Sequence, residues 1–175
     1  METARKLGYS IKLIGHAEKI GGKILAMVSP RLIPHSNPLS GINDVFNGIL
    51  LGADMVGQVM FYGPGAGKLP TASAVCADIV DVIAHAESGI KLPKFSVACA
   101  DDLASFDDYA CKRFFIFDKC PECKIDSECI NKCFGAVCSY SVVGEKVAVI
   151  TEAMTEAKAN ELSSKLNNCK AYRVL

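Results

Sequence analysis

The sequence predicts an α+β fold in which a mixed sheet with helices is followed by a smaller βαββαβ unit. Three observations carry that expectation. A glycine-rich loop in residues 61–74 (FYGPGAGKLPTASA) joins an apolar strand to a helix whose apolar residues recur at helical spacing. The second half alternates β-branched and aromatic runs with helical periodicity. Half of the 175 residues are apolar and the formal charge is zero, enough for one average domain or two small ones.

Taken in order, residues 1–20 are expected to form a helix, with Ile11, Leu13 and Ile14 on one side and Lys6, Glu18 and Lys19 exposed, stopped by Gly21 and Gly22. A strand follows at 23–29. Pro30, Pro34 and Pro38 then impose an extended loop, because proline supplies no N–H and restricts the residue before it. Residues 44–51 and 55–62 read as paired strands turning at Gly52, Ala53 and Asp54. A helix to about residue 87 begins near Pro70, with Thr71 and Ser73 as candidate caps and Val75, Ile79, Val82 and Ile83 along one side. The linker at 88–94, with Gly89 and Pro93, divides the chain into domains 1–92 and 93–175.

In the second domain, residues 113–117 form a strand, 125–134 a helix, and 136–143 with 146–151 a hairpin turning at Gly144 and Glu145. Residues 155–166 form a helix with Ala157, Leu162 and Leu166 inward, and 171–174 the last strand. That order is the ferredoxin-like arrangement.

Gly63, Gly65 and Gly67 leave backbone N–H groups uncovered at a positive helix end, a place suited to a cofactor or an anionic substrate. The loop is not a P-loop, since only three residues separate Gly63 from Gly67 and Leu69 follows Lys68. Nor is it a dinucleotide fingerprint, since the glycines read GxGxG outside any βαβ unit. An ordinary strand-to-helix turn is the other reading of the loop on its own.

The loop has company: LGYSIKL at 7–13, then an unbroken run from Ser29 through the proline loop, VFN and GPGAG to Asp81. Together these segments, over about residues 7–86, resemble homoserine dehydrogenase in the portion that follows its nucleotide-binding domain. The resemblance implies interconversion of aspartate semialdehyde and homoserine with a nicotinamide cofactor, NADP or NAD, in the route to threonine and methionine. It implies a catalytic role for Lys12, as proton donor to the forming alkoxide or holder of its charge. It also places Gly63, Pro64, Gly65, Ala66 and Gly67 beside the nicotinamide and the substrate. Many family members carry an aspartate four residues before that lysine, where this chain has Gly8; Glu2 is the nearby carboxylate.

The second domain resembles in element order the ACT regulatory domain that follows the substrate domain in many homoserine dehydrogenases. ACT domains commonly open their first helix with an Asp-x-Pro-Gly-type effector turn; here Asp118, Lys119, Cys120, Pro121 and Glu122 stand without a glycine, which puts threonine binding in question. The resemblance further implies an N-terminal Rossmann domain and a second active-site lysine ahead of Met1. The chain is therefore expected to be a C-terminal portion lacking that domain, inactive alone and holding no cofactor itself. It is expected to form a homodimer through its substrate-domain sheet.

Nine cysteines carry a competing signal. Cys120, Cys123, Cys129 and Cys133 form CxxC, five residues, then CxxxC, with Cys138 beyond. Four thiolates suit tetrahedral zinc, but the central spacer is short for a two-pair zinc ribbon. Zinc, free thiols and a redox pair stay open, with no metal assigned. His16, His35 and His85 stand apart and form no hydrolase triad. Scattered lysines and arginines argue against a nucleic-acid or membrane footprint, and residues 45–62 are broken by Asn47, Asp54 and Gln58, so a cytoplasmic protein is expected. Arg31, Asn43 and Asn47 read as structural, capping loops or lying on the surface. The alternative to an oxidoreductase is a non-catalytic regulatory or metal-binding dimeric module.

Overall fold

The computed structural model describes residues 2–89, 94, 97, 99–120 and 125–175. The chain packs as two compact units, Met1–Ser36 with Cys99–Leu175, and Asn37–Ala98. This division differs from the one along the sequence at 92/93, because the first strands pair with the last. Most of the expected linker at 88–94 lies outside the described residues.

The first unit begins with α1 (Glu2–Lys6) and the long hairpin β1 (Tyr9–Ile20) and β2 (Lys23–Pro34). The expected helix over 1–20 is thus confined to its first residues. Gly21 and Gly22, at φ 56° and 85°, are not a helix stop but the two central residues of a tight turn between Ile20 and Lys23. Two consecutive positive φ angles match the twist of a hairpin, and glycine takes them at least cost. β2 runs on through Pro30 and Pro34, where an extended loop was expected. These prolines bracket Arg31 and Leu32, the short stretch that pairs with the last strand.

The remaining elements of this unit are β5 (Ala110–Cys111), β6 (Arg113–Asp118), α3 (Ser127–Phe134), β7 (Val137–Val143), β8 (Lys146–Thr151), β9 (Met154–Thr155), α4 (Glu156–Ser164) and β10 (Lys170–Val174), numbered to leave β3 and β4 to the second unit. The main sheet has the order β1-β2-β10-β6-β8-β7, antiparallel throughout except for β2 with β10. Within it, the four strands of the βαββαβ unit lie in the order fourth, first, third, second, which is the ferredoxin-like topology. β5 and β9 form a separate two-residue pair.

Each face of the sheet has its own core. Phe115, Phe117, Val147 and Val149 pack against Ile130 and Phe134 of α3 and Ala159 of α4. In α4 it is Ala159, not the expected Ala157, that is buried. On the opposite face Leu32, Phe114, Ala148, Ile150 and Val174 pack against Ala4 of α1. Full burial of each large apolar side chain is worth about 1.5–3 kcal/mol. Asp126 and Thr155 cap α3 and α4, accepting from the backbone N–H groups of Cys129 and Lys158.

The second unit holds the hairpin β3 (Phe46–Ala53) and β4 (Gly57–Pro64), then α2 (Lys68–Ser88), which ends at Gly89 in the left-handed region, φ 69°. None of its described residues is buried. Ile49 and Phe61 of the hairpin and Ile79 and Val82 of α2 each keep more than half of their surface in solvent.

Candidate functional site

The glycine loop lies between β4 and α2, inside the second unit. β3 and β4 are in register from Phe46 opposite Pro64 to Ala53 opposite Gly57, so Asn47 stands opposite Gly63. The Asn47 amide nitrogen is 1.7 Å from where a Cβ on Gly65 would be, so only glycine fits beneath it without displacing that side chain. The Gly65 N–H donates to the Val45 carbonyl at 3.4 Å. Around Gly63, which is paired with Asn47 within β4, nothing lies within 4 Å of an added Cβ, so the space on that side of the strand is open. Gly67, at φ 125°, caps α2 with no side-chain bond; the candidate caps Thr71 and Ser73 lie inside the helix instead. The Thr71 N–H donates to the Gly67 carbonyl, and Pro70 brings no N–H, which leaves the amides of Lys68 and Leu69 at the positive helix end. The Phe46 and Tyr62 rings stack at 5.0 Å beside this loop.

Residues 1–80 match the family model of homoserine dehydrogenase. This segment belongs to the homoserine dehydrogenase family. The homoserine dehydrogenase of Bacillus subtilis (strain 168) is 44% identical over 87 residues, covering 50% of this chain and 20% of that one. That of Neisseria gonorrhoeae is 47% identical over 95 residues, covering 53% of this chain and 22% of the relative. A crystal structure of homoserine dehydrogenase from Thiobacillus denitrificans superposes over 99% of this chain and 44% of its own, with a TM-score of 0.78 at 26% identity. The Staphylococcus aureus enzyme at pH 7.5 does so with a TM-score of 0.72 at 29% identity. The chain thus spans less than half the length of the homoserine dehydrogenases it matches, and corresponds to their C-terminal portion.

Lys12 lies in the first unit, on β1 rather than on a helix, directly opposite Arg31 of β2. A strand advances about 13 Å in four residues, so Gly8, Lys12 and His16 do not stand one helical turn apart. Gly8 instead precedes β1 at φ 82°, its carbonyl accepting from the His35 N–H. His16 contacts Glu18 at 3.2 Å, and its ring lies 5.8 Å from that of Tyr109.

The register sets Lys12, Arg31, Arg173 and Arg113 side by side across four adjacent strands, a row that local sequence patterning does not reveal. Arg31, expected to cap a loop or lie on the surface, is 1% exposed. Its Nη1 donates to the Tyr109 hydroxyl at 3.0 Å and its guanidinium lies over the Tyr109 ring. Burial pushes the Tyr109 hydroxyl pKa up, against the opposing pull of Arg31. Glu156, the first residue of α4, serves both other arginines through one oxygen. Oε2 accepts from Arg173 Nε at 3.0 Å and lies 2.8 Å from Nη2 of both Arg173 and Arg113. The Arg113 contact is at ion-pair distance without hydrogen-bond alignment, and among the described residues Arg113 Nε and Arg31 Nε have no hydrogen-bond partner.

Cys120, Cys129 and Cys133 line one cavity of about 250 Å³ beside α3, while Cys123 lies outside the described residues. Partial desolvation, then the neighbouring Cys133, pushes the Cys129 thiol up. Cys138 faces elsewhere, bonded to Lys112 and Glu152. Among the described residues no three His, Cys, Asp or Glu side chains come together as a metal set. Asp118, at the head of the expected effector turn, is taken up by Lys146 at 2.7 Å and Asn168 at 3.0 Å, which hold its carboxyl below the usual range.

Proposed function

We propose that this chain forms the substrate-domain remainder and an ACT-type regulatory domain of an enzyme that interconverts aspartate semialdehyde and homoserine. The observation that carries this reading is the glycine loop, open at Gly63 and roofed by Asn47 at Gly65, within the segment that matches the family. In the complete enzyme a Rossmann domain holds NADP or NAD, and Gly63, Pro64, Gly65, Ala66 and Gly67 line the approach of nicotinamide and substrate. Lys12 is the candidate proton donor only through its place in the matched segment. The isolated chain holds no cofactor, so it lacks the proximity that hydride transfer requires and turns nothing over.

The exposed β3–β4 sheet, with Ile49 and Phe61, and the apolar side of α2, where Val75, Ile79, Val82 and Ile83 line a shallow depression, are covered by a second copy of the chain in a cytoplasmic homodimer. α2 has the length and hydropathy of a membrane span, yet its side chains at Asp78 and Asp81 fit a protein partner better than lipid. No nucleic acid is bound.

The test is NADPH oxidation with aspartate semialdehyde by this chain alone and by the chain joined to an upstream dinucleotide domain. Activity in the joined form only supports the reading; activity in neither sinks it. Lys12→Ala in the joined form, with turnover undiminished, would return Lys12 to the cationic row alone. The second reading is a metal-binding module: three thiols line the cavity beside α3, although among the described residues they do not come together as a metal set. Zinc below a tenth of an equivalent after chelator-free purification would end it.

A further inference from the structure

We propose that the cleft between α1 and the sheet face opposite α3 and α4 binds a small aromatic carboxylate that carries no ammonium group. The cleft encloses about 330 Å³, the small end of the range for ligand sites. Its floor is apolar and spans three strands: Ile11 of β1, Phe114 and Ile116 of β6, and Tyr172 of β10. The Phe114 and Tyr172 rings are tilted at 42° with centroids 6.4 Å apart, an aromatic pair that a third ring can extend. Buried Ala4 of α1 forms one wall.

One end of the cleft is cationic, where Lys146, Lys170 and Asn168 meet. The carboxylate among them, Asp118, is committed to Lys146 and Asn168. Lys170 is exposed, and its ammonium makes no hydrogen bond or ion pair among the described residues. Two ammonium groups against one carboxylate leave this end positive, so a ligand carboxylate gains there while an amino acid would bring its own ammonium against two like charges. An apolar floor that ends in positive charge selects a flat ring with one anionic head. Every lining residue lies in the first unit, and none is shared with the cavity beside α3. The inference therefore goes beyond the catalytic reading and does not depend on it.

Backbone amide NMR of the ¹⁵N-labelled chain titrated with phenylpyruvate tests it, with phenylalanine and phenylacetamide as charge controls. The expected result is saturable shifts confined to Ile11, Phe114, Ile116, Lys170 and Tyr172, and binding about tenfold weaker for both controls, which lack net negative charge. Lys170→Gln, an exposed change that leaves the fold intact, should weaken phenylpyruvate about fivefold, and Lys170→Arg should restore it. Absence of saturation, shifts centred elsewhere, or equal binding of phenylacetamide or phenylalanine would overturn the proposal.

Discussion

Replacing Glu156 by glutamine tests the charge arrangement at the centre of the sheet. The substitution keeps the shape and removes the negative charge that serves two arginines. Arg113 keeps only 3% of its side chain exposed, Glu156 17% and Arg173 22%, so solvent can compensate little of the loss at Arg113. Orphaning one partner of a buried ion pair costs about 3–5 kcal/mol, and the partial exposure of Glu156 and Arg173 puts the expectation near the lower end, about 3 kcal/mol. For a unit of roughly a hundred residues that corresponds to a fall in Tm of about 12 °C or more. Thermal and urea unfolding followed by circular dichroism at neutral pH measure it. Adding Arg113→Met to Glu156→Gln should recover part of the loss, because the orphaned cation is then gone. A single variant within about 1 kcal/mol of the parent would refute the reasoning, since the contact would then be worth no more than an exposed ion pair.

Gly65→Ala would push the Asn47 side chain aside; because Asn47 is exposed and can swing, stability should change by less than about 1 kcal/mol while kcat/KM of the complete enzyme falls about tenfold, with Asn47→Ala in the same chain restoring part of it in steady-state assays. The Asp118 carboxyl is depressed by Lys146 and then Asn168, so its contribution is present above the unfolded value near ~4 and is lost as pH falls through the folded one. Urea unfolding should accordingly show Asp118→Asn less stable than the parent at neutral pH, with the gap closing in acid. Val82→Asp on α2 should shift the chain from dimer to monomer in sedimentation velocity; a variant that associates as the parent does would place the dimer contact elsewhere.

The βαββαβ half was legible because its signals are local. Gly144 at φ 61° closes the β7–β8 hairpin where the sequence places the turn, and Gly135 follows α3. β1 was misread because Ile11 and Ile14 satisfy a helical spacing, whereas in the strand that forms they point to opposite faces. The Gly21-Gly22 pair that decides between them serves equally as a helix stop. Of the candidate site, the glycine loop could be read from residue type and order, whereas its roof, Asn47, follows from hairpin register. The row of Lys12, Arg31, Arg173 and Arg113 had no local signal, since its members are drawn from strands up to 161 positions apart in the chain. Nothing in the neighbourhood of Arg31 in sequence announces Tyr109.

β10, five residues long, sits between β2 and β6 and holds the two halves of the sheet together. During synthesis the first hairpin must therefore wait, with one edge bare, until β10 has left the ribosome. Pairings this distant in sequence form late and slowly. A deletion confined to β10 would not trim the sheet at its margin but split it, leaving β2 and β6 as two raw edges ready to pair with other chains. β10 acts as a latch, and its loss would be expressed as aggregation.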